Sequence, residues 1–389
     1  MSVLRISLEG NIDASNVDNI KDYVEAEETR EHSSVVIDCK NLNYISSVGL
    51  RVLLKLSKNE QKKGNEKIRV VDVRPEIYEI FETTGFTSIM EVGKTCKEID
   101  PEGLTLMQEG YRSRLYRLDE DTLIKVYKGE DGLSLLMQAK KLAKIAFVEG
   151  VPTVLSYDIV KVGDDYGSIY ECINSKSLSE YIIEDSGKID LYLERYVNFM
   201  KQLFDIEIDD EEVPDLNKDF LDDLYSLSDI LSVAQIGGIR RMIVWMPKTL
   251  KAGHKSLSLN NVILEDRELI LTDMDMFGKG QPIFTFVGIY LQYKLLYEHD
   301  EEYMEKRYGI SKELAGRIWE KTLSLYYKEA DEAALLLYTE KIRLLADICF
   351  LNFLKRSDFS QGEFKLTDHD KVVRDIDRLL LKVEDLNLS

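Results

Sequence analysis

Cysteine is scarce in this 389-residue chain, with only Cys39, Cys96, Cys172 and Cys349 and no CxxC pair. Thiols scattered this way exclude a disulfide framework and a cysteine zinc site, and they suit a reducing compartment. The four histidines, His32, His254, His299 and His369, lie far apart with no metal-ligand spacing. No apolar run approaches the roughly 18–20 residues of a membrane span, and MSVLRISLEGN lacks the apolar core of a secretory signal. Basic charge is in deficit, with 51 Lys and Arg against 71 Asp and Glu and a net charge of −20. That deficit argues against nucleic acid, whose binding runs on cations neutralising phosphates, and against an anionic membrane surface. A soluble cytoplasmic protein is expected. What is present is enough apolar matter for real cores, 44% hydrophobic against 31% charged, which excludes wholesale disorder. The length exceeds what one core usually supports, so two or three domains are expected.

The first 95 residues alternate short strands and helices. Strands are expected at Val3–Leu8, Ser34–Asp38, Ile68–Val73 and near 89–92, with turns at Gly10-Asn11 and Asn41–Asn43. Helices are expected at Asn16–Glu27, from Leu50 onward, and from Pro75 to a stop at Gly85; Pro at a first turn and Gly after the last are the usual punctuation. The polar stretch Gly93–Gly103 contains the boundary, with residues 96–103 expected as a linker. Beyond it, strands are expected at Leu104–Met107, Leu115–Leu118, Thr122–Tyr127, Ser156–Val162 and Gly167–Ile173. A helix from about Leu133 to Val148 separates the third and fourth. From Leu178 the pattern is helical apart from Val262–Thr272. No repeat or low-complexity tract is present.

Ser46 and Ser47 stand where a strand and loop turn into a helix. Serine is itself a favoured helix cap, so the pair alone means little. The wider pattern, SVVIDCKNLNYISSVGLRVLL followed by KIRVVDVRPEIYEIFETTGF, resembles the STAS domain of bacterial anti-sigma-factor antagonists over essentially all of residues 1–95. The resemblance implies an α/β domain, a sheet with packed helices, in which the first helical serine before Gly-Leu accepts a phosphate. Aligned on Gly49-Leu50, that serine is Ser47; Ser46 stands where the family often has Asp and is a second acceptor candidate. The implied partner is an anti-sigma factor or a serine switch kinase.

Residues from about 104 onward resemble the aminoglycoside phosphotransferase and choline kinase group of protein-kinase-like folds. The residues that carry this are Lys125 on its strand, the helix ending in GVPT, YDIVKVGDDYGSIYE, Asn261-Val262-Ile263-Leu264 and Leu271-Thr272-Asp273-Met274-Asp275. The resemblance implies an α+β bilobal domain, with an N-lobe over 104–175 and a mostly helical C-lobe over 176–389. It implies a site for ATP and magnesium: Lys125, Gly110, Glu171 and Ile173 toward the nucleotide, Asn261 and Asp273 toward the metal. A strand lysine near the phosphates with Asn and Asp on magnesium is the electrostatic kit that phosphoryl transfer requires.

Several family groups are missing. The catalytic loop should carry an Asp five residues before Asn261, where this chain has Ser256, or His254 if a short insertion is allowed. Ile230–Leu264 contains no Asp or Glu, where the chain average would place about six. The helix glutamate expected to pair with Lys125 falls on Lys141. An Asp that braces the catalytic loop is replaced by Thr285, and Gly110 is the only glycine of the expected glycine-rich loop. The reading is a phosphorylation-controlled partner-switching regulator with a pseudokinase module for sensing a nucleotide or small ligand, or for scaffolding. The alternative is an ATP- and magnesium-dependent small-molecule phosphotransferase under STAS control, with His254 or Ser256 recruited to the catalytic loop. The eleven acids of Asp205–Asp229, the five bases of Arg240–Lys255 and the tyrosines of the C-terminal helices are expected to be solvated faces and core packing rather than sites.

Overall fold

The computed structural model describes residues 3–30, 32–65, 67–94, 97–110, 112–129, 131–173, 175–356 and 369–388. Cys96, one of the four cysteines, lies outside them. The chain divides into two compact units, residues 1–103 with 159–164, and residues 104–158 with 165–389.

In the first unit, β1 (Val3–Ile12), β2 (Ser34–Ile45), β3 (Arg69–Val73) and β4 (Glu91–Lys94) form a sheet in that order, parallel throughout. Between them run α1 (Val17–Glu28), α2 (Ser47–Lys63), α3 (Pro75–Thr83) and the single turn α4 (Phe86–Ile89). A parallel sheet needs crossover connections, and the helices supply them. Both turns expected in the first two strands are strand instead. The ladder runs through Gly10 and Leu42, with register shifts at Ser7/Glu9 and Gly10/Asn11. Gly10 has φ +69, so a bulge absorbs the residue that the sequence marks as a turn. Leu42, flanked by polar neighbours, is buried. The segment expected as linker holds β5 (Lys97–Ile99), which pairs in parallel with Val160–Val162 of β9 (Ser156–Val162).

The helix α2 buries Leu50, Leu53 and Leu56 on one stripe against a core that includes Ile6, Ile37, Val70 and Phe81. Its start lies hard on the sheet. A methyl group at Gly49 would sit 2.7 Å from Ile12 Cγ2 and 2.9 Å from Ile45 Cγ1, closer than packed carbons come. Glycine is there because the helix axis is that near the two strand ends.

In the second unit, β6 (Thr105–Glu109), β7 (Ser113–Arg117), β8 (Thr122–Tyr127) and β10 (Asp165–Glu171) pair antiparallel in the order β6-β7-β8-β10. The helix α5 (Gly132–Val148) packs on β8 and β10. From Leu178 onward the unit is helical, interrupted by short strands at Ala252–His254, Val262–Glu265, Glu268–Leu271 and Phe277–Lys279. This is the α+β organisation expected for the chain beyond residue 104. The expected aromatic packing is also found, with Tyr290, Tyr293 and Tyr297 buried in the helical core and Tyr326 and Tyr327 packed on Phe286.

The close approach at Gly49 gives a test. Gly49→Ala gains up to about 1 kcal/mol of helix propensity, but overpacking costs about 1–3 kcal/mol, and Ile12 and Ile45 are both buried. Urea denaturation should show a net loss of stability; an equal or greater stability would contradict the contact.

Candidate functional site

Two places carry chemistry, one in each unit. In the first, Ile12 O accepts from Ser46 N–H (2.8 Å) and Ser46 O accepts from Leu50 N–H (3.0 Å), so Ser46 is the residue at which strand becomes helix. Its hydroxyl makes no cap bond and is buried without a partner. Ser47, the first helical residue, is exposed. The first turn of α2 carries no acid, and Lys62 and Lys63 lie in its last. The positive end of the helix dipole therefore meets water beside Ser47, the local field an added phosphate would want. Of the two serines, geometry favours Ser47 as the one a modifying enzyme can reach.

In the second unit, the alternation of β8 places Lys125 and Tyr127 on one face. Lys125 Nζ donates to Asp273 Oδ1 (3.0 Å) and Asp275 Oδ2 (2.8 Å), and Tyr127 OH donates to Asp275 Oδ1 (2.8 Å). Asp275 N–H returns to Asp273 Oδ1 at 3.1 Å. Only 14% of the lysine side chain is exposed. Burial opposes its charge, but the two carboxylates overcome this and raise its pKa. Burial also works against Asp273, which the Lys125 charge holds below the usual carboxylate range. Asp275 goes the other way, pushed up by burial and by repulsion from Asp273 despite its bonds to Lys125 and Tyr127.

The loop where the catalytic Asp was expected is built as scaffold. His254 is fully buried. Its Nδ1 accepts from Ser256 N–H (3.1 Å), which leaves Nε2 to donate to the carbonyl of Asp273 (2.8 Å). Burial lowers its pKa, so it is a neutral ring with both nitrogens spent on backbone. Thr285, where an Asp brace was expected, accepts from His254 N–H at 3.1 Å. Tyr196 OH bonds the Leu257 carbonyl, and Tyr293 OH accepts from Leu259 N–H. A methyl at Gly288 would lie 1.8 Å from the Lys255 carbonyl oxygen, so the helix behind the loop touches its backbone directly.

Asn261 Nδ2 donates to the Ser256 carbonyl at 3.2 Å, which leaves its amide oxygen, while one oxygen of Asp273 is taken by Lys125. An amide oxygen and a carboxylate oxygen are the hard donors magnesium accepts when phosphates and water complete its shell, and these two residues would hold it. Among the described residues, no cluster of three or more His, Cys, Asp or Glu side chains has metal-binding geometry. The remaining expected residues sit apart from Lys125. Gly110 lies in the β6–β7 hairpin, where its N–H bonds Ser113 O and Lys128 Nζ holds its carbonyl. Tyr111 beside it lies outside the described residues. Glu171 ends β10 opposite Thr122 and accepts from Tyr157 OH; Ile173 follows two residues on. Lys141 pairs with Glu212.

Residues 2–99 match the STAS domain. Over 88 residues the chain is 32% identical to the candidate anti-sigma factor antagonist BtrV of Bordetella bronchiseptica, covering 23% of this chain and 75% of that one. Over 91 residues it is 32% identical to the anti-sigma F factor antagonist of Paenibacillus polymyxa, covering 23% and 77%. The chain belongs to the STAS family. Solved structures similar to the chain include an ADP-bound aminoglycoside phosphotransferase, at 19% identity, TM-score 0.45, covering 73% of this chain and 93% of that one. Another is a GDP and kanamycin complex of a related phosphotransferase, at 15% identity, TM-score 0.47, covering 78% and 96%. No helix among the described residues is long and apolar enough to cross a membrane.

The sequence reading quoted Asp275 within its motif but gave it no role in the site, and it did not single out Tyr127. Asp275 is two residues from Asp273, and Tyr127 two from Lys125. Both offsets were visible, but the pairing of β8 with a loop almost 150 positions away was not.

The opposed shifts of the two aspartates set a pH test. Asp273, lowered, stabilises the fold above its unfolded pKa, and that contribution is lost as pH falls. Asp275, raised, contributes below its unfolded pKa and loses that contribution as pH rises through its folded value. Asp273→Asn should therefore cost about 1–3 kcal/mol at pH 7, reduced by its partial exposure, and Asp275→Asn less. In urea denaturation the gap should narrow from pH 7 toward pH 4. Equal costs at pH 7 would contradict this division of labour.

Proposed function

We propose that this chain is a cytoplasmic, phosphorylation-controlled partner-switching regulator of the anti-sigma-factor antagonist type. Ser47 is its acceptor, and residues 104–389 act as a kinase-like module that binds a nucleotide or small ligand without passing on a phosphate. The observation that carries the first half is the contrast at the start of α2: Ser47 is exposed, whereas the Ser46 hydroxyl is buried. A phosphate adds roughly −1.5 to −2 charges at pH 7. At an acid-free helix start it is tolerated by the fold, yet it turns a neutral docking patch anionic. The partner is an anti-sigma factor or serine switch kinase, and any influence on transcription passes through it rather than through nucleic acid.

The second half rests on His254. A general base must reach the acceptor hydroxyl with a free lone pair; this ring has none, and the loop around it supplies no carboxylate. Lys125 and Asp273 remain able to meet ATP and magnesium, Lys125 by shifting from Asp275 to phosphate oxygens. Phosphotransferase activity toward a small molecule, the alternative reading, lacks its proton acceptor.

The switch is tested by binding to the cognate anti-sigma factor. Ser47→Ala should bind like the unmodified protein, and Ser47→Asp should bind at least about tenfold more weakly, equivalent to about 1.4 kcal/mol. Equal affinity of the aspartate variant and the wild type would remove the proposal's basis.

A further inference from the structure

Helix Val233–Trp245 of the second unit has a face that the described residues leave uncovered. It lies inside Ile230–Leu264, a stretch with five bases and no acid that the sequence alone marks as a solvated face. Gln235, Ile239, Met242 and Ile243 form the buried side of the helix. At 3.6 residues per turn, Val233, Arg240, Arg241, Val244 and Trp245 fall together on the other side. All five are exposed, as is Lys248 just past the helix end. Trp245 is 74% exposed and Val233 90%. A methyl group at Gly237, on the same face, would meet nothing within 4 Å. On its flank Leu380 comes within 3.5 Å of the place a Gly238 methyl would take, and Leu381 after it is exposed. One exposed apolar residue is ordinary. A tryptophan, two valines and a leucine grouped with arginines have the composition of an interface core.

The face is rigid. A capping box between Ser232 and Gln235 starts the helix, and Gln235 Nε2 donates to Asp377 Oδ1 at 2.7 Å. Just beyond the helix end, Gln281 Nε2 donates to the Pro247 carbonyl at 2.7 Å. A partner meets a surface that needs little ordering on binding. Its bases lack acids. Arg240 Nε donates to Tyr225 OH (2.9 Å), an uncharged partner, and among the described residues Arg241 and Lys248 make no ion pair. On the two helices packed against this one, Leu216–Tyr225 and His369–Leu380, Asp219 is engaged by Lys255, Asp375 by Arg343 and Arg378, and Asp377 by Gln235.

We propose that this face docks a helix of a partner protein whose apolar stripe is flanked by Asp and Glu. Trp245 is buried as the anchor, and Arg241 and Lys248 pair with the flanking carboxylates. Val233 to Trp245 spans about 18 Å of helix, which a second helix lying along it covers in about three turns. A second copy of this chain docked through the same face would set Arg240, Arg241 and Lys248 against themselves. An anionic membrane would bring an extended plane of negative charge against a chain of net charge −20, whereas one acidic helix acts within a Debye length of about 8–10 Å. The docking face depends neither on Ser47 nor on the Lys125 cluster.

Tryptophan emission tests it. The chain has two tryptophans, and Trp319 is buried, so a blue shift on binding reports cover over Trp245. The full chain is titrated with two synthetic helical peptides of about 20 residues, each with a leucine stripe, one flanked by glutamates and the other by lysines. A saturable blue shift is expected with the glutamate peptide and not with the lysine peptide. Arg241→Glu/Lys248→Glu should weaken the glutamate peptide at least about tenfold and reverse the preference. Trp245→Ala, followed by calorimetry, should weaken it as much. All three positions are exposed, so the variants keep the fold, which circular dichroism checks. No saturable shift up to about 1 mM glutamate peptide, equal binding of the two peptides, or binding unchanged in the charge-reversal variant would overturn the proposal. So would a blue shift produced by phosphatidylserine vesicles, or by raising the protein's own concentration, in place of the glutamate peptide.

Discussion

One ammonium group between two carboxylates organises the second unit. Lys125 arrives on a strand of the antiparallel sheet, and Asp273 and Asp275 arrive from the far side of the chain on the segment after Leu271. Their union ties the sheet to the loop that carries His254. The arrangement is stable but not saturated. One lysine cannot neutralise two partly buried carboxylates, and Asp275 is the one that bears the excess, with Tyr127 supplying a neutral donor. A phosphate entering this place would find the cation already positioned and would compete with Asp275 for it. His254, for its part, spends both ring nitrogens on the backbone.

The first unit solves a different problem. Under the proposed switch it would present a modifiable hydroxyl without making its own packing depend on that hydroxyl's state. Gly49 brings α2 against Ile12 and Ile45, and this fixes the helix start so that Ser46 turns inward and Ser47 outward. A phosphate on Ser47, as proposed, would lie on a helix start whose dipole favours an anion, and the cost of adding charge would fall on the partner interface instead of the core.

Much of this was legible in the sequence, and the failures have physical causes. Element order in the first unit followed from β-branched runs and helix punctuation. The turns expected at Gly10-Asn11 and Asn41–Asn43 failed because a long parallel strand can absorb glycine and polar residues through bulges and a solvated edge, which local pattern does not distinguish from a break. Residues 97–99 read as linker because three residues hold too little pattern to announce a strand. Lys125, Asn261 and Asp273 were singled out through the family resemblance; that Lys125 meets Asp273 and Asp275, and Tyr127 meets Asp275, is tertiary. The loss of the loop carboxylate could be read directly. That Thr285 takes over bracing, and that His254 has no free nitrogen, required geometry.

The account makes Ser47 an acceptor that receives its phosphate from another protein. Phosphosite mapping by mass spectrometry, on the chain recovered from its native cells as wild type and as Lys125→Ala, addresses this most directly. Phosphate on Ser47 in both, with Ser46 unmodified, is the predicted result. Ser47 bare under every growth condition, phosphate on Ser46 instead, or a Ser47 phosphate that disappears with Lys125 would contradict it.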